Sequence, residues 1–320
     1  MPLLAGDIGG TKTLLGLQSA HGALEQVREY RNQAHDGVDA ILHDFLQQTG
    51  TRPDDGLHLV LAIAGPVDQA RCQMTNLPWL IDSATLQQQF RFKSVHLLND
   101  LEATGWAMPG LGAAGLLLPL RGDHIDFGRP VAVMSIGTGL GQAALIPQKG
   151  GTLQVLSSEG GHKQFAPFDA RSASLLQQAY ATGHTGVSWE NWFSGSGLPR
   201  LFQALFPDME APDSQTITEL AVAQPGSCEA QCVHLLMQGL MAEAGNLALQ
   251  YAAWGGVIFA GGVAQHLLPY WHDPDLQRWL EHKTDHVQRL RQVPLAMCTD
   301  TQAALRGAAD YFWHQQMRGN

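Results

Sequence analysis

Positive charge is scarce in this chain. Lys and Arg total 19 against 29 Asp and Glu, a net charge of -10, so neither a nucleic-acid backbone nor an anionic membrane surface is an expected partner. Cysteine is scarcer still. Cys72, Cys228, Cys232 and Cys298 are the 4 in 320 residues, too few and too scattered for a disulfide scaffold, and they read as reduced thiols in a cytoplasmic setting. Cys228 and Cys232 stand i, i+4 on a helical stretch with no second pair nearby, a pattern of small buried side chains in preference to zinc ligands. No apolar run approaches the roughly 20 residues that cross a bilayer, and the opening MPLLAGDIGG lacks the basic-then-apolar order of an export signal. Charged residues reach only 15% while hydrophobic ones make up 45%. Apolar area therefore suffices for a sizeable core, disorder is excluded as the main state, and the length fits two lobes.

Glycine, by contrast, is abundant: 35 residues, without the fixed period of a fibrous protein. It gathers in DIGGT (Asp7 to Thr11), IGTGLG (Ile136 to Gly141), EGGH (Glu159 to His162), SGSG (Ser194 to Gly197) and AGG (Ala260 to Gly262), where the chain must turn sharply or come close to a ligand. Between these clusters short β-like runs alternate with helical patterns, the order of an α/β fold. Strands are expected at 3–8, 13–17, 57–64, 95–98, 131–136, 142–146 and 257–260. Helices are expected around Val38 to Leu46, where apolar residues recur at i, i+3, i+4, i+7 and i+8, and over 170–181, 228–254 and 301–316. The polar, glycine-containing stretch 109–129 separates the lobes in this reading. That gives a small N-terminal α/β domain of residues 1–108, completed by a C-terminal helix within 301–320, and a large α/β domain of 109–300. The strand, glycine turn, strand layout around DIGGT repeats around IGTGLG, either as an echo between lobes or as two unrelated hairpins.

Each cluster has a chemical and a plain reading. DIGGTKT places a carboxylate at a strand end and glycines at the turn, so backbone N–H groups can face an anion while the carboxylate holds a hydrated cation; alone, it is also an ordinary hairpin turn. IGTGLG shares both readings, and the recurrence of such a turn favours a bound phosphate. Asn99–Asp100 follows an apolar run where a helical pattern begins, and either residue could cap that helix or do chemistry. Glu159, His162 and Glu190, the last within SWENWFSGSGL, offer the acceptors and donor that grip sugar hydroxyls, or are a surface charge and a satisfied histidine.

In this order the chain resembles the bacterial glucokinase family of the hexokinase and actin-like ATPase superfamily, from Leu4 to about Gly307. The resemblance is carried by LLAGDIGGTKT, the GPV and MTNLPW segments of Gly65 to Trp79, LLNDLEA, SIGTGLG, SSEGGH with FAP following, FSGSGL and IFAGGV. It implies a two-lobe actin-like ATPase (ribonuclease H-like) α/β fold with a ligand cleft between lobes, and ATP-dependent phosphorylation of D-glucose to glucose 6-phosphate feeding glycolysis, with magnesium, in a cytoplasmic homodimer. By the same resemblance Asp100 is the general base for the sugar 6-hydroxyl, and Asn99, Glu159, His162 and Glu190 bind the sugar. Asp7, Gly9, Gly10 and Thr11 form the first phosphate loop, with Asp7 placing magnesium through water. Gly137, Thr138 and Gly139 form the second, and Gly261 and Gly262 let the backbone pass close to adenosine.

Lys12 stands where some members carry asparagine, and lysine there also occurs in the related repressor and open-reading-frame kinase group. That group adds a cysteine-rich zinc loop after its glutamate, glycine and histidine motif, whereas Lys163 to Asp169 contains no cysteine, so glucokinase is the better match. Kinases for fructose, mannose or an N-acetylated sugar, and a sugar-sensing regulator without turnover, are the alternatives. The acidic balance and retention of both glycine turns and Asp100 count against the regulator.

Overall fold

The computed structural model describes residues 1–20, 22–74 and 76–318, leaving His21, Thr75 of the MTNLPW segment, Gly319 and Asn320 outside the description. The chain divides into two compact units, Met1–Ala114 with Asp300–Asn320, and Gly115–Thr299. No helix among the described residues is long and apolar enough to cross a membrane.

The first unit is built on a sheet of β1 (Leu3–Ile8), β2 (Lys12–Gln18), β3 (Glu25–Arg31), β4 (His58–Ile63) and β8 (Ser94–Asn99), in the order β3-β2-β1-β4-β8. A smaller sheet of β5 (Val67–Asp68), β6 (Arg71–Gln73) and β7 (Leu80–Asp82) lies between β4 and β8 in sequence. β1 is antiparallel to β2 and parallel to β4, which is parallel to β8. Central strands covered on both faces read as unbroken apolar runs, and β4 is buried at every residue. The charged edge strand β3, EQVREYR, buries only Tyr30, and for that reason its sequence does not read as a strand. The helix Val38–Thr49 turns Val38, Ile41, Leu42, Phe45 and Leu46 inward and ends on Gly50 at φ 68°, a left-handed C-terminal cap.

The second unit repeats this plan. β9 (Leu117–Arg121), β10 (Val131–Ile136), β11 (Leu140–Pro147), β12 (Leu153–Ser158), β13 (Gly256–Ala260) and β14 (Leu295–Cys298) form a sheet ordered β12-β11-β10-β13-β14-β9. β10 is antiparallel to β11 and parallel to β13, which is parallel to β14. Strand for strand, β12-β11-β10-β13-β14 matches β3-β2-β1-β4-β8, so the repeated hairpin of the sequence is the visible part of a five-strand repeat. The long helix Cys228–Gln250 is buried on most of its surface and packs into a core with Met134, Trp189, Phe202, Phe259 and Trp271. All four cysteines are free thiols, and burial pushes that of Cys232 up to about 12.

The expected boundary at 108/109 falls inside a helix. Asp100–Ala113 continues through Pro109, and the stretch expected to be a linker contains β9. Apolar faces explain both: Met108 and Leu111 are buried in that helix, and Leu120 is buried in β9.

The helix Ala303–Arg318 belongs to the first unit and lies against Asp100–Ala113. At their crossing a Cβ on Gly307 would sit 1.6 Å from the Ala103 carbonyl oxygen, so the two backbones touch. Gly307→Ala, which raises helix propensity, should nonetheless destabilise by about 1–3 kcal/mol through overpacking. A thermal melt checks the sign: a raised melting temperature would mean that the crossing is loose.

Candidate functional site

The parallel register sets the first half of the site. Ile8 pairs with Ile63, and Ile63 with Asn99, so the carboxyl ends of β1, β4 and β8 finish level. Side chains and loops at that edge are where open α/β sheets hold ligands. The DIGGT turn leaves from it and is clamped by Asn32, which is 1% exposed. The Asn32 amide donates to the Gly9 carbonyl at 2.8 Å, its backbone N–H donates to Thr11 O at 3.0 Å, and the Thr13 hydroxyl donates to its side-chain oxygen at 2.8 Å. Gly9 N–H closes the turn on Lys12 O at 3.0 Å. Lys12 itself is exposed and paired with Glu29.

Asp7, one residue before the end of β1, is pushed up to about 6, chiefly by burial and then by the nearby charge of Asp100. Two carboxylates thus share one edge. Of Asn99 and Asp100, the capping role falls to Asn99. The Asn99 oxygen accepts from Leu101 N and Glu102 N at 3.0 and 3.3 Å, while its amide donates to Gly65 O at 3.1 Å. Asn99 is therefore the N-cap, tied to the GPV segment. Asp100 follows as the first helical residue and accepts from Leu101 N at 2.8 Å, at the helix end that favours a negative charge.

In the second unit the turn Gly137–Thr138–Gly139 joins β10 to β11. The SGSG segment docks on it: Gly195 N donates to Gly137 O and Ser196 N to Thr138 O, both at 2.9 Å. Glu190 accepts from Leu140 N at 2.8 Å through one carboxylate oxygen. Its other oxygen stands 3.7 Å from His162 Nδ1, and His162 Nε2 stands 3.7 Å from Glu159. Glu159, His162 and Glu190 thus form one row, 74%, 60% and 26% exposed. The helix after SGSG is not capped by the Glu190 side chain; the Ser194 hydroxyl accepts from Gly197 N at 3.0 Å. Gly261 follows β13 with φ 96°, and a Cβ there would meet the Ile136 carbonyl oxygen at 2.4 Å, so a contact inside this unit already requires glycine. Gly262 opens a short helix, and a Cβ on it or on Gly137 would meet nothing within 4 Å.

Within the first unit the structure gathers Asp7, Gly9, Gly10, Thr11, Asn99 and Asp100 on one sheet edge. Within the second it gathers Gly137, Thr138, Gly139 and the Glu159, His162, Glu190 row. The anchor Asn32 is absent from the sequence reading because its side-chain partners Thr13 and Gly9 lie 19 and 23 positions away. A cavity of about 460 Å³ elsewhere in the second unit is lined by Arg121, Gln277, Arg278, Glu281 and Arg291. None of the residues above lines it, and Glu281 bridges Arg121 and Arg291 there.

Comparison with known proteins agrees in every direction. The glucokinase family model matches residues 4–315. A glucokinase of a Nostoc species is 32% identical, covering 96% of this chain and 97% of its own; that of Chromobacterium violaceum is 32% identical over 96% and 88%. Among solved structures, a glucokinase from an Antarctic psychrotroph superimposes with a TM-score of 0.86 at 27% identity, covering 97% of this chain and 98% of that one. A ROK hexokinase from Thermus thermophilus has the same fold at 21% identity and a TM-score of 0.68. With its two matching sheets and their paired glycine turns, the chain has the two-lobe actin-like ATPase fold and belongs to the glucokinase family of sugar kinases.

Proposed function

We propose that this protein is an ATP-dependent glucokinase that transfers the γ-phosphoryl group of ATP to the 6-hydroxyl of D-glucose. The observation that carries the reading is Asp100: a carboxylate fixed at a helix N-terminus by the Asn99 cap, level with the DIGGT turn on one sheet edge. Asp100 takes the hydroxyl proton as the sugar oxygen bonds to phosphorus and the bond to the departing ADP breaks. Phosphoryl transfer asks a protein mainly for such alignment and for charge neutralisation. Glu159, His162 and Glu190 supply two acceptors and a donor for the remaining hydroxyls, and both glycine turns present backbone to phosphate. One solved relative of the same fold is described in complex with glucose and AMPPNP, an ATP analogue.

Magnesium fits at Asp7, because a carboxylate pushed to about 6 beside Asp100 gains from a cation. Among the described residues no three His, Cys, Asp or Glu side chains form a metal-binding group, so its other ligands would be water and phosphate oxygens. When bound, magnesium neutralises charge on the phosphates.

Two substitutions test this. Asp100→Asn should keep the fold and glucose binding while turnover falls roughly 100- to 10,000-fold, the usual contribution of a positioned base. A coupled assay over a hexose panel with ATP checks it, and near-normal turnover would reduce Asp100 to a helix residue. Asp7→Asn should abolish efficient ATP use yet raise the melting temperature of the ligand-free protein. The folded pKa of about 6 exceeds the ordinary 3.8. Above pH 6 both folded and unfolded Asp7 are ionised, and only the folded state bears the cost of burial. As pH falls from about 6 towards 3.8 the folded state takes up its proton first, so the advantage of the Asn variant should be full at pH 7–8, reduced at pH 5 and gone below the ordinary 3.8. Melts in chelator at pH 8 and pH 5 read this directly, and an unchanged difference would refute the burial of charge at Asp7.

A further inference from the structure

A carboxylate is sealed inside the long helix Cys228–Gln250. Glu243 is 0% exposed. One of its oxygens is 2.5 Å from Lys163 Nζ and accepts from Gln142 Nε2 at 2.8 Å, and the other accepts from Asn246 Nδ2 at 2.8 Å. Buried ion pairs add little net stability over apolar packing, so such a cluster asks for another role.

Its location supplies one. Lys163 follows His162 directly in the chain. Its N–H donates to Gly160 O at 3.3 Å, closing the turn that carries Glu159 and His162, and its carbonyl accepts at 3.2 Å from the N–H of Trp189, the residue before Glu190. One residue therefore touches both arms of the Glu159, His162, Glu190 row, and its ammonium is held by Glu243. Gln142 completes the support. It also approaches Lys163 Nζ, at 3.3 Å, and its side-chain oxygen lies where a Cβ on Gly160 would be, at 2.2 Å. The Ser158 hydroxyl ties the same strand pair together, donating to Gln142 O at 3.0 Å and accepting from Gly160 N at 3.3 Å.

We propose that Lys163 and Glu243 are positioning residues, with Gln142 between them, that hold the Glu159–His162 turn and the segment entering Glu190 in the arrangement that recognises the sugar. The proposal rests on the reading above that this row binds hydroxyls. Removing the ammonium leaves the row's side chains present but unpinned. Ground-state sugar binding is lost first, while Asp100 and the glycine turns are untouched.

The test uses the full-length protein. Lys163→Met should raise the hexose KM by about 10- to 100-fold, the worth of a charge-assisted hydrogen bond, with kcat and the ATP KM each within about threefold. Lys163→Arg, which keeps the charge, should recover most of the loss. Hydrogen exchange of amides 160–165 in the ligand-free protein should speed up in Lys163→Met relative to those of β10. Lys163→Met takes the contacting ammonium from the buried Glu243, so Lys163→Met with Glu243→Gln guards against simple misfolding: it should restore the melting temperature while KM stays high. If KM and melting temperature recover together, the pair is a stability element and the proposal falls. Unchanged exchange at 160–165, or unchanged KM, overturns it as well. Assaying the wild type over the hexose panel reports separately on the glucose reading, and the variant-to-wild-type ratio is taken on whichever hexose the wild type phosphorylates.

Discussion

The level register of β1, β4 and β8 is the constraint on which the candidate site of the first unit depends. Because Ile8, Ile63 and Asn99 end side by side, Asp7 and Asp100 reach one edge although 93 positions of chain separate them. Their mutual repulsion, together with burial, raises Asp7. A protein optimised for stability alone would not keep two carboxylates there. The first unit thus carries an unfavourable electrostatic arrangement in the ligand-free state, one that the proposed cation would relieve.

The second unit solves a different problem with the same topology. Its glycine turn is not clamped by a side chain, as Asn32 clamps the first, but by a second loop laid on it backbone to backbone. That loop follows the short helix Trp189–Trp192 that carries Glu190, and Glu190 in turn accepts from Leu140 at the end of the glycine turn. The glycine turn and the Glu159, His162, Glu190 row are therefore mechanically one piece, so a substitution in SGSG is felt by both.

Much of this was legible in the sequence where local pattern and global role coincide. Leu3–Ile8 and Val131–Ile136 are strands with the expected ends, and Ala170–Ala181 is the expected helix, opened by an Asp169–Ser172 capping box. What escaped has particular causes. β3 and β12 lie at sheet edges and carry too few buried residues to alternate cleanly. β14 is four buried residues, Leu295–Cys298, too short to display any period. At the site, glycines and carboxylates announce themselves by type. Asn32, Gln142 and Glu243 do not, because their meaning lies in partners far along the chain; Gln142 and Glu243 are 101 positions apart. The lysine after EGGH was visible only as a residue that is not cysteine.

The backbone contact at Gly307 bears on how the chain is made. The helix Ala303–Arg318 follows the whole second unit in the chain, yet it packs on the helix that begins at Asp100 and belongs with the strands that precede that unit. All of Gly115–Thr299 emerges before it. The usual order of co-translational folding, N-terminal part first, is thus inverted: the inserted unit can close while the outer one still waits for its final helix. Until that helix has been made, the nascent chain holds the strand that bears Asp7 without the helix that completes its packing.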